Sequence, residues 1–198
     1  MIGFTESISL PVCFGGAIDV FWDSAGTVHV ETGPEELTLY ANGPALESLA
    51  KQMLYFACNN SLGGFHVHYD SFFCKAGHSG KALTLEFSGS EEANGFDLYD
   101  GDTIELSLEI PYHFGDSEEI VPGQLQISPD EARITSDEKA LLYLAKTMLA
   151  LRYEKPGSVR QIHCWPSGMR NPEASGKFIP AARPCESFTA MQKMGGTT

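Results

Sequence analysis

The residues best suited to chemistry lie together in the segment His66-Val67-His68-Tyr69-Asp70. Alternate side chains on a β-strand share one face, so His66, His68 and Asp70 would project together while Val67 and Tyr69 point the other way. Two imidazoles and a carboxylate form a ligand set that suits zinc or non-haem iron. The same alternation is typical of a half-buried strand with a polar outer face, so both interpretations are open from this segment alone.

The chain contains an internal repeat. A shift of 95 residues places positions 45–54 on positions 140–149, and seven of the ten residues are identical. The same shift places His68 on His163, and a Ser-Gly-Lys tripeptide follows in both halves. Because co-linear matches of this kind are the signature of a duplicated unit, the sequence predicts two related units in tandem.

The second copy bears directly on the metal hypothesis. At the positions of His66 and Asp70 it carries Gln161 and Trp165, so two of the three possible ligands are absent there. Only the position shared by His68 and His163 keeps a histidine, and one hydrogen-bonded histidine in each unit explains this. We therefore expect no metal and no other cofactor. A metal-binding protein or metal-dependent enzyme that uses His66, His68 and Asp70 is the alternative function.

Patterns for nucleophilic catalysis are poorly developed in this sequence. Cys164 directly follows His163, but neighbours on a strand point to opposite faces. Neither a G-x-S-x-G elbow nor a Walker A loop is present, because the Ser-Gly-Lys tripeptides lack the preceding glycine frame. These tripeptides are expected in turns, where Gly permits a positive φ. The sequence thus predicts no catalytic residues.

The predicted fold class is α+β, with two tandem ββαββ-like units packed as a pseudo-dimer. Each unit, 1–93 and 94–183, is expected to be a small, mostly antiparallel sheet covered by one helix, and 184–198 is predicted to be a flexible tail. Apolar residues at helical spacing follow Asn42-Gly43-Pro44, and Thr135-x-x-Glu138 has the form of a capping box for the second helix. Strands are predicted at 18–22, 27–31, 37–40, 65–69, 82–87, 103–110, 124–128, 132–135, 159–165 and 177–181.

The chain is acidic, and its charge is concentrated in one stretch. Between Lys81 and Arg133 lie thirteen of the 26 carboxylates and none of the 13 basic residues, so this stretch carries the whole net charge of −13. Such acidity repels nucleic acid and anionic membranes, which excludes both as nonspecific partners. It suits either a basic protein partner or a solvated connector. The expected partner contacts are Asp97, Asp100, Asp102, Glu105, Glu118, Glu119, Phe72 and Phe73.

Composition and cysteine usage indicate the cellular compartment. The 198 residues are 42% apolar, which is enough for a core, and no run approaches the ~18 apolar residues that span a bilayer. Five scattered cysteines without a C-x-x-C pair argue against a disulfide framework or a zinc knuckle. The N-terminal segment lacks the basic region of a secretory signal. A cytoplasmic protein is therefore expected, with its oligomeric state left open.

Three segments of the first half resemble a known family. They read LESLAKQM at 46–53, HVHYD at 66–70 and SGKALTL at 79–85. Their order resembles the Imm32 type of immunity protein of bacterial polymorphic toxin systems, over about residues 25–88 with a degenerate echo at 124–181. The resemblance implies a cytoplasmic, non-enzymatic inhibitor that neutralises a toxin by direct protein binding. An acidic inhibitor suits a basic toxin such as a nuclease.

Overall fold

The protein has an α+β fold, as the sequence predicted, with mixed sheets and, among the described residues, two α-helices. Within the part of the chain that the structure describes there are eleven strands. No helix in this part is long and apolar enough to cross a membrane. The computed structural model describes residues 3–12, 21–33, 37–58, 64–74, 77–89, 100–111, 124–152, 160–164 and 179–181.

In each half the described strands lie on both sides of one helix in the chain. The first half contains β1 (Gly3–Pro11), β2 (Val28–Thr32), β3 (Leu37–Ala41), α1 (Gly43–Cys58), β4 (His66–Tyr69), β5 (His78–Gly80) and β6 (Ala82–Phe87). The second half contains β7 (Thr103–Pro111), β8 (Gln124–Ile127), β9 (Glu131–Ser136), α2 (Glu138–Arg152), β10 (Arg160–Cys164) and β11 (Ile179–Ala181). The strands β1 and β5 were not predicted. Of the strand predicted at 18–22, only 21–22 is described, and these two residues are not part of a strand.

The strands form three sheets that join the two halves. The strands β1 and β7 make an antiparallel ribbon, and the larger sheets have the orders β11-β10-β3-β2-β5 and β4-β6-β9-β8. The pairs β2–β5 and β6–β9 are parallel, and the others are antiparallel. The prediction that each unit carries its own mostly antiparallel sheet is not confirmed, because β10 pairs with β3 and β6 pairs with β9.

The two helices lie between the ribbon and the two larger sheets. The helix α1 packs on α2 and touches β1, while α2 also touches β7. On their other side both helices meet the larger sheets around a cavity of about 20 Å³, whose lining includes Leu49, Leu144, Leu39 and Leu85. A helix in such a central layer must be apolar on most sides, which explains why eleven of the sixteen residues of α1 are buried.

Side-chain caps fix where each helix begins. Asn42 Oδ1 accepts hydrogen bonds from the Ala45 N–H (3.1 Å) and the Thr27 N–H (2.9 Å), so α1 starts at the end of β3 and is tied to the chain before β2. At α2 the cap is Asp137, whose Oδ1 accepts from the Ala140 N–H at 2.8 Å. The predicted capping box at Thr135 is wrong, because Thr135 is still extended and pairs with β6.

We expect Asp137→Ala to lower the free energy of unfolding by about 1 kcal/mol, because one N–H of the first turn loses its acceptor. Asp137→Asn is the matched control, since asparagine caps a helix about as well as aspartate. Urea denaturation of the three proteins measures the difference. A larger loss of unfolding free energy in Thr135→Ala than in Asp137→Ala would favour the capping box at Thr135 over the cap at Asp137.

An ion-pair network ties the end of α2 to β1 and α1. Arg152 Nη2 donates to Glu6 Oε1, and Arg152 Nη1 donates to Glu47 Oε2 at 2.9 Å. The Arg152 and Glu6 side chains are only 15% and 12% exposed. Burial acts to raise the pKa of Glu47, but the Lys51 and Arg152 cations outweigh it and hold that pKa below its usual value. Three elements thus depend on one guanidinium.

Candidate functional site

The outer face of the four-stranded sheet carries the two histidines of β4. His66 and His68 are exposed while Val67 and Tyr69 are buried, which confirms the predicted alternation. The two imidazole rings lie 4.9 Å apart, nearly perpendicular to each other. The sequence therefore identified the orientation of this strand correctly.

His68 belongs to a hydrogen-bonded network across three strands. The Thr84 hydroxyl donates to Glu131 Oε1 and lies 2.8 Å from His68 Nδ1, so it must accept its second hydrogen bond from a proton on Nδ1. The hydrogen bond from Thr84, assisted by Arg133 and His68, lowers the pKa of Glu131. The network keeps Glu131 ionised and engages one nitrogen of His68.

Asp70 does not join the histidines. Its Oδ1 accepts hydrogen bonds from the N–H groups of Phe72 and Phe73, both at 2.9 Å, and its carbonyl accepts from the Cys74 N–H at 2.9 Å. This is the side-chain-capped turn that aspartate forms readily. Among the described residues no three His, Cys, Asp or Glu side chains lie close enough to hold a metal ion.

The turn at Asp70 presents one of the two predicted phenylalanines to solvent. Phe72 is 92% exposed, and Phe65, just before β4, is 46% exposed. Phe73 instead packs its ring 5.5 Å from that of Tyr69 and 5.9 Å from that of Trp22. Two exposed phenylalanines thus flank β4, which among the described strands lies at an edge of its sheet.

The outer face of the β1–β7 ribbon, here called the acidic ribbon, carries four carboxylates. Three of them were predicted as partner contacts, and the fourth, Glu109, lies beside them on β7. Glu105 and Glu109 project from β7, and Asp100 and Asp102 lie at its start, all exposed. Ser9 Oγ donates to Glu105 Oε1 at 2.8 Å, and neither ribbon segment contains a lysine or arginine. The predicted contacts Asp97, Glu118 and Glu119 lie outside the described residues.

The two cysteines with described side chains are poor nucleophiles. Burial, together with the nearby Asp70, raises the pKa of the Cys74 thiol to about 12. Burial also raises the pKa of Cys58, with Glu138 adding to the effect. Because the thiolate is the reactive form, neither thiol is activated at neutral pH.

A second polar cluster, which the sequence analysis missed, lies on the five-stranded sheet around His29. His29 Nδ1 lies 2.8 Å from Ser79 Oγ, and its Nε2 lies 3.0 Å from Glu31 Oε1. Tyr40 donates from its hydroxyl to Glu31 Oε2 at 3.1 Å. The H-x-E spacing of β2 indicates that His29 and Glu31 share a face, but no local pattern in the sequence indicates that Ser79 lies beside His29.

No family model, curated protein or solved structure matches this chain. Function is therefore inferred from the residues of the chain itself. The described surface offers three features for that purpose: the acidic ribbon, the exposed phenylalanines that flank β4, and the cluster around His29.

Proposed function

We propose that the protein is an inhibitor of the immunity type, which neutralises a basic toxin by direct protein–protein contact. The observation that carries this proposal is the pair of exposed phenylalanines, Phe65 and Phe72, at the two ends of an edge strand. Aromatic side chains are enriched at protein interfaces, and an open strand edge can pair with an extended segment of a partner. Asp70 accepts hydrogen bonds from two backbone N–H groups of the Phe72 turn, so the backbone that presents Phe72 has little conformational freedom to lose on binding.

Charge defines the kind of partner. The acidic ribbon and the net charge of −13 attract a positively charged protein and repel nucleic acid. A nuclease fits this description, because it needs positive charge to hold its substrate. The resemblance of residues 25–88 to immunity proteins supports the same function and a cytoplasmic location.

We also propose that the two halves descend from one duplicated unit and are arranged as a pseudo-dimer. Within the described residues both halves have three strands before a helix, with three strands after α1 and two after α2. Leu49 and Leu144, which the 95-residue shift aligns, are both buried against the same cavity. The exchange of closing strands between the halves is compatible with a dimer whose two chains became one.

The test is capture of a partner from the source cell by the immobilised protein at low and high salt. We expect to capture one basic protein at low salt and to retain less of it at high salt. Salt weakens the binding because it screens exposed charges beyond a Debye length of about 8 Å at physiological ionic strength. Phe72→Ala should weaken binding at least about tenfold, as a buried aromatic anchor does, and leave unfolding within about 0.5 kcal/mol.

Charge reversal separates steering from solubility. Glu109→Lys lies on the acidic ribbon, and Asp130→Lys lies at the exposed turn between β8 and β9. Each variant replaces a carboxylate with an ammonium group, so both change the net charge equally. We expect only Glu109→Lys to slow association with the captured partner, since the effect of a rim charge depends on its position. A partner without basic surface, or full binding by Phe72→Ala, would contradict the proposal.

A further inference from the structure

The cluster around His29 has the three parts of an activated serine. Ser79 Oγ lies within hydrogen-bond distance of one imidazole nitrogen, and a Glu31 oxygen lies within hydrogen-bond distance of the other. A nucleophile beside a base that a third group orients is the general signature of nucleophilic catalysis.

Strand register builds this arrangement. His29 and Glu31 alternate on β2 and share a face, and β5 runs parallel to β2 with Ser79 opposite His29. Gly80 makes this pairing possible, because it has a φ of +83° and any Cβ there would collide with the Val30 carbonyl. On the other side of β2, Tyr40 pairs with His29 and holds Glu31 through its hydroxyl.

One tautomer of His29 meets the needs of a general base. With its proton on Nε2, His29 donates to the Glu31 carboxylate, and Nδ1 can then accept the proton of Ser79. The two ring nitrogens are exchanged relative to the Ser-His-Asp triad of serine proteases. The chemistry requires only that one nitrogen accepts the hydroxyl proton while the other is held. His29 is 8% exposed, and its ring lies 5.7 Å from that of Tyr40, so its orientation is fixed.

We propose that Ser79 is a nucleophile that cleaves carboxylic esters, with His29 as its general base and Glu31 as a positioning residue. Ser79 Oγ attacks the carbonyl carbon while His29 Nδ1 takes the hydroxyl proton, and that proton passes to the alkoxide as the ester C–O bond breaks. Water then attacks the acyl-serine, His29 takes a proton from the water, and Ser79 regains it as the carboxylic acid leaves. The products are one alcohol and one acid per ester and water.

The position of the cluster limits the substrate. In the described part of its sheet β5 is an edge strand, and Ser79 is half-buried, so we place the approach of the ester along this edge. This favours an ester group on an extended or terminal chain over an enclosed small molecule. The activity does not rest on the proposed inhibitor function, because Ser79, His29 and Glu31 are not among the residues proposed to contact the toxin.

The test uses a fluorophosphonate probe, which forms a covalent bond with activated serine hydroxyls, followed by mass spectrometry of the full chain and of its peptides. We expect one adduct, located at Ser79, and hydrolysis of p-nitrophenyl acetate by the same protein. His29→Gln should slow adduct formation by at least about 100-fold, the lower end of general-base contributions. Ser9→Ala is the matched control, since Ser9 is hydrogen-bonded to a carboxylate without an imidazole.

Glu31→Gln tests the positioning role separately. We expect a lower maximal rate of labelling with an unchanged probe concentration for half-maximal rate, because the probe does not touch Glu31. A folded wild-type protein without an adduct at Ser79, or with labelling no faster than in urea, overturns the proposal. This readout comes from the unaltered chain, so it does not depend on how any variant folds.

Discussion

Leu49→Ala and Leu144→Ala will each lower the free energy of unfolding by about 2–5 kcal/mol, measured by urea denaturation. Both leucines are fully or almost fully buried, and both line the cavity between the helices and the larger sheets. Truncation removes apolar contacts and enlarges a cavity that has no polar lining. Water therefore finds no hydrogen-bond partners there and cannot replace the lost contacts.

Leu142→Ala is the control for this prediction. It makes the same chemical change in the same helix, but Leu142 is only partly buried, so its loss should be clearly smaller. The double variant of Leu49 and Leu144 should depart from additivity, because the two side chains border one cavity. Equal losses in Leu142→Ala and Leu144→Ala would show that α2 does not face the core as described.

Arg152→Met will lower the free energy of unfolding by about 3–5 kcal/mol, the range for removing one partner of a buried ion pair. The substitution keeps the length of the aliphatic stem but leaves Glu6 buried without its cation. Glu6 Oε2 already has no hydrogen-bond partner among the described atoms, so the carboxylate has no second donor to compensate. Thermal and urea denaturation both measure the loss.

Arg133→Met provides the comparison at the surface. Arg133 Nη1 donates to Glu86 Oε2 at 2.9 Å, but its side chain is 34% exposed, so the loss should stay within about 1 kcal/mol. Adding Glu6→Gln to Arg152→Met should recover part of the stability, since the buried charge is then gone. No recovery would mean that Arg152 acts through packing of its stem instead of through its charge.

Local periodicity was sufficient to predict both helices and most strands that flank them. The apolar stripe of α1 and the turn at Asn42-Gly43-Pro44 are visible within a few residues of each other. The strand β5 had no such signal, because His78, Ser79 and Gly80 contain no apolar alternation, and the strand is formed by parallel pairing with β2. Sheet partners were likewise unpredictable, since β6 and β9 carry no local mark of their pairing.

The same distinction separates the predicted from the unpredicted side chains. The orientation of His66 and His68 follows from a period of two, so the sequence was enough. Asp70 lies just beyond that strand, where backbone N–H groups of the turn compete for its carboxylate. Its position next to a turn was the signal that it would not lie beside the two histidines. His29 and Ser79 meet only through long-range pairing, which a single sequence does not reveal.

The pairing of β3 with β10 has a consequence during synthesis. About 120 residues separate the two strands along the chain. At ribosomal rates of ~5–20 residues per second, β3 is made roughly 6–24 s before its neighbour exists. Throughout that interval Leu37 and Leu39, both buried in the finished protein, belong to a sheet that lacks at least two of its five described strands. Production of the protein should therefore depend on chaperones that shield the unpaired strand.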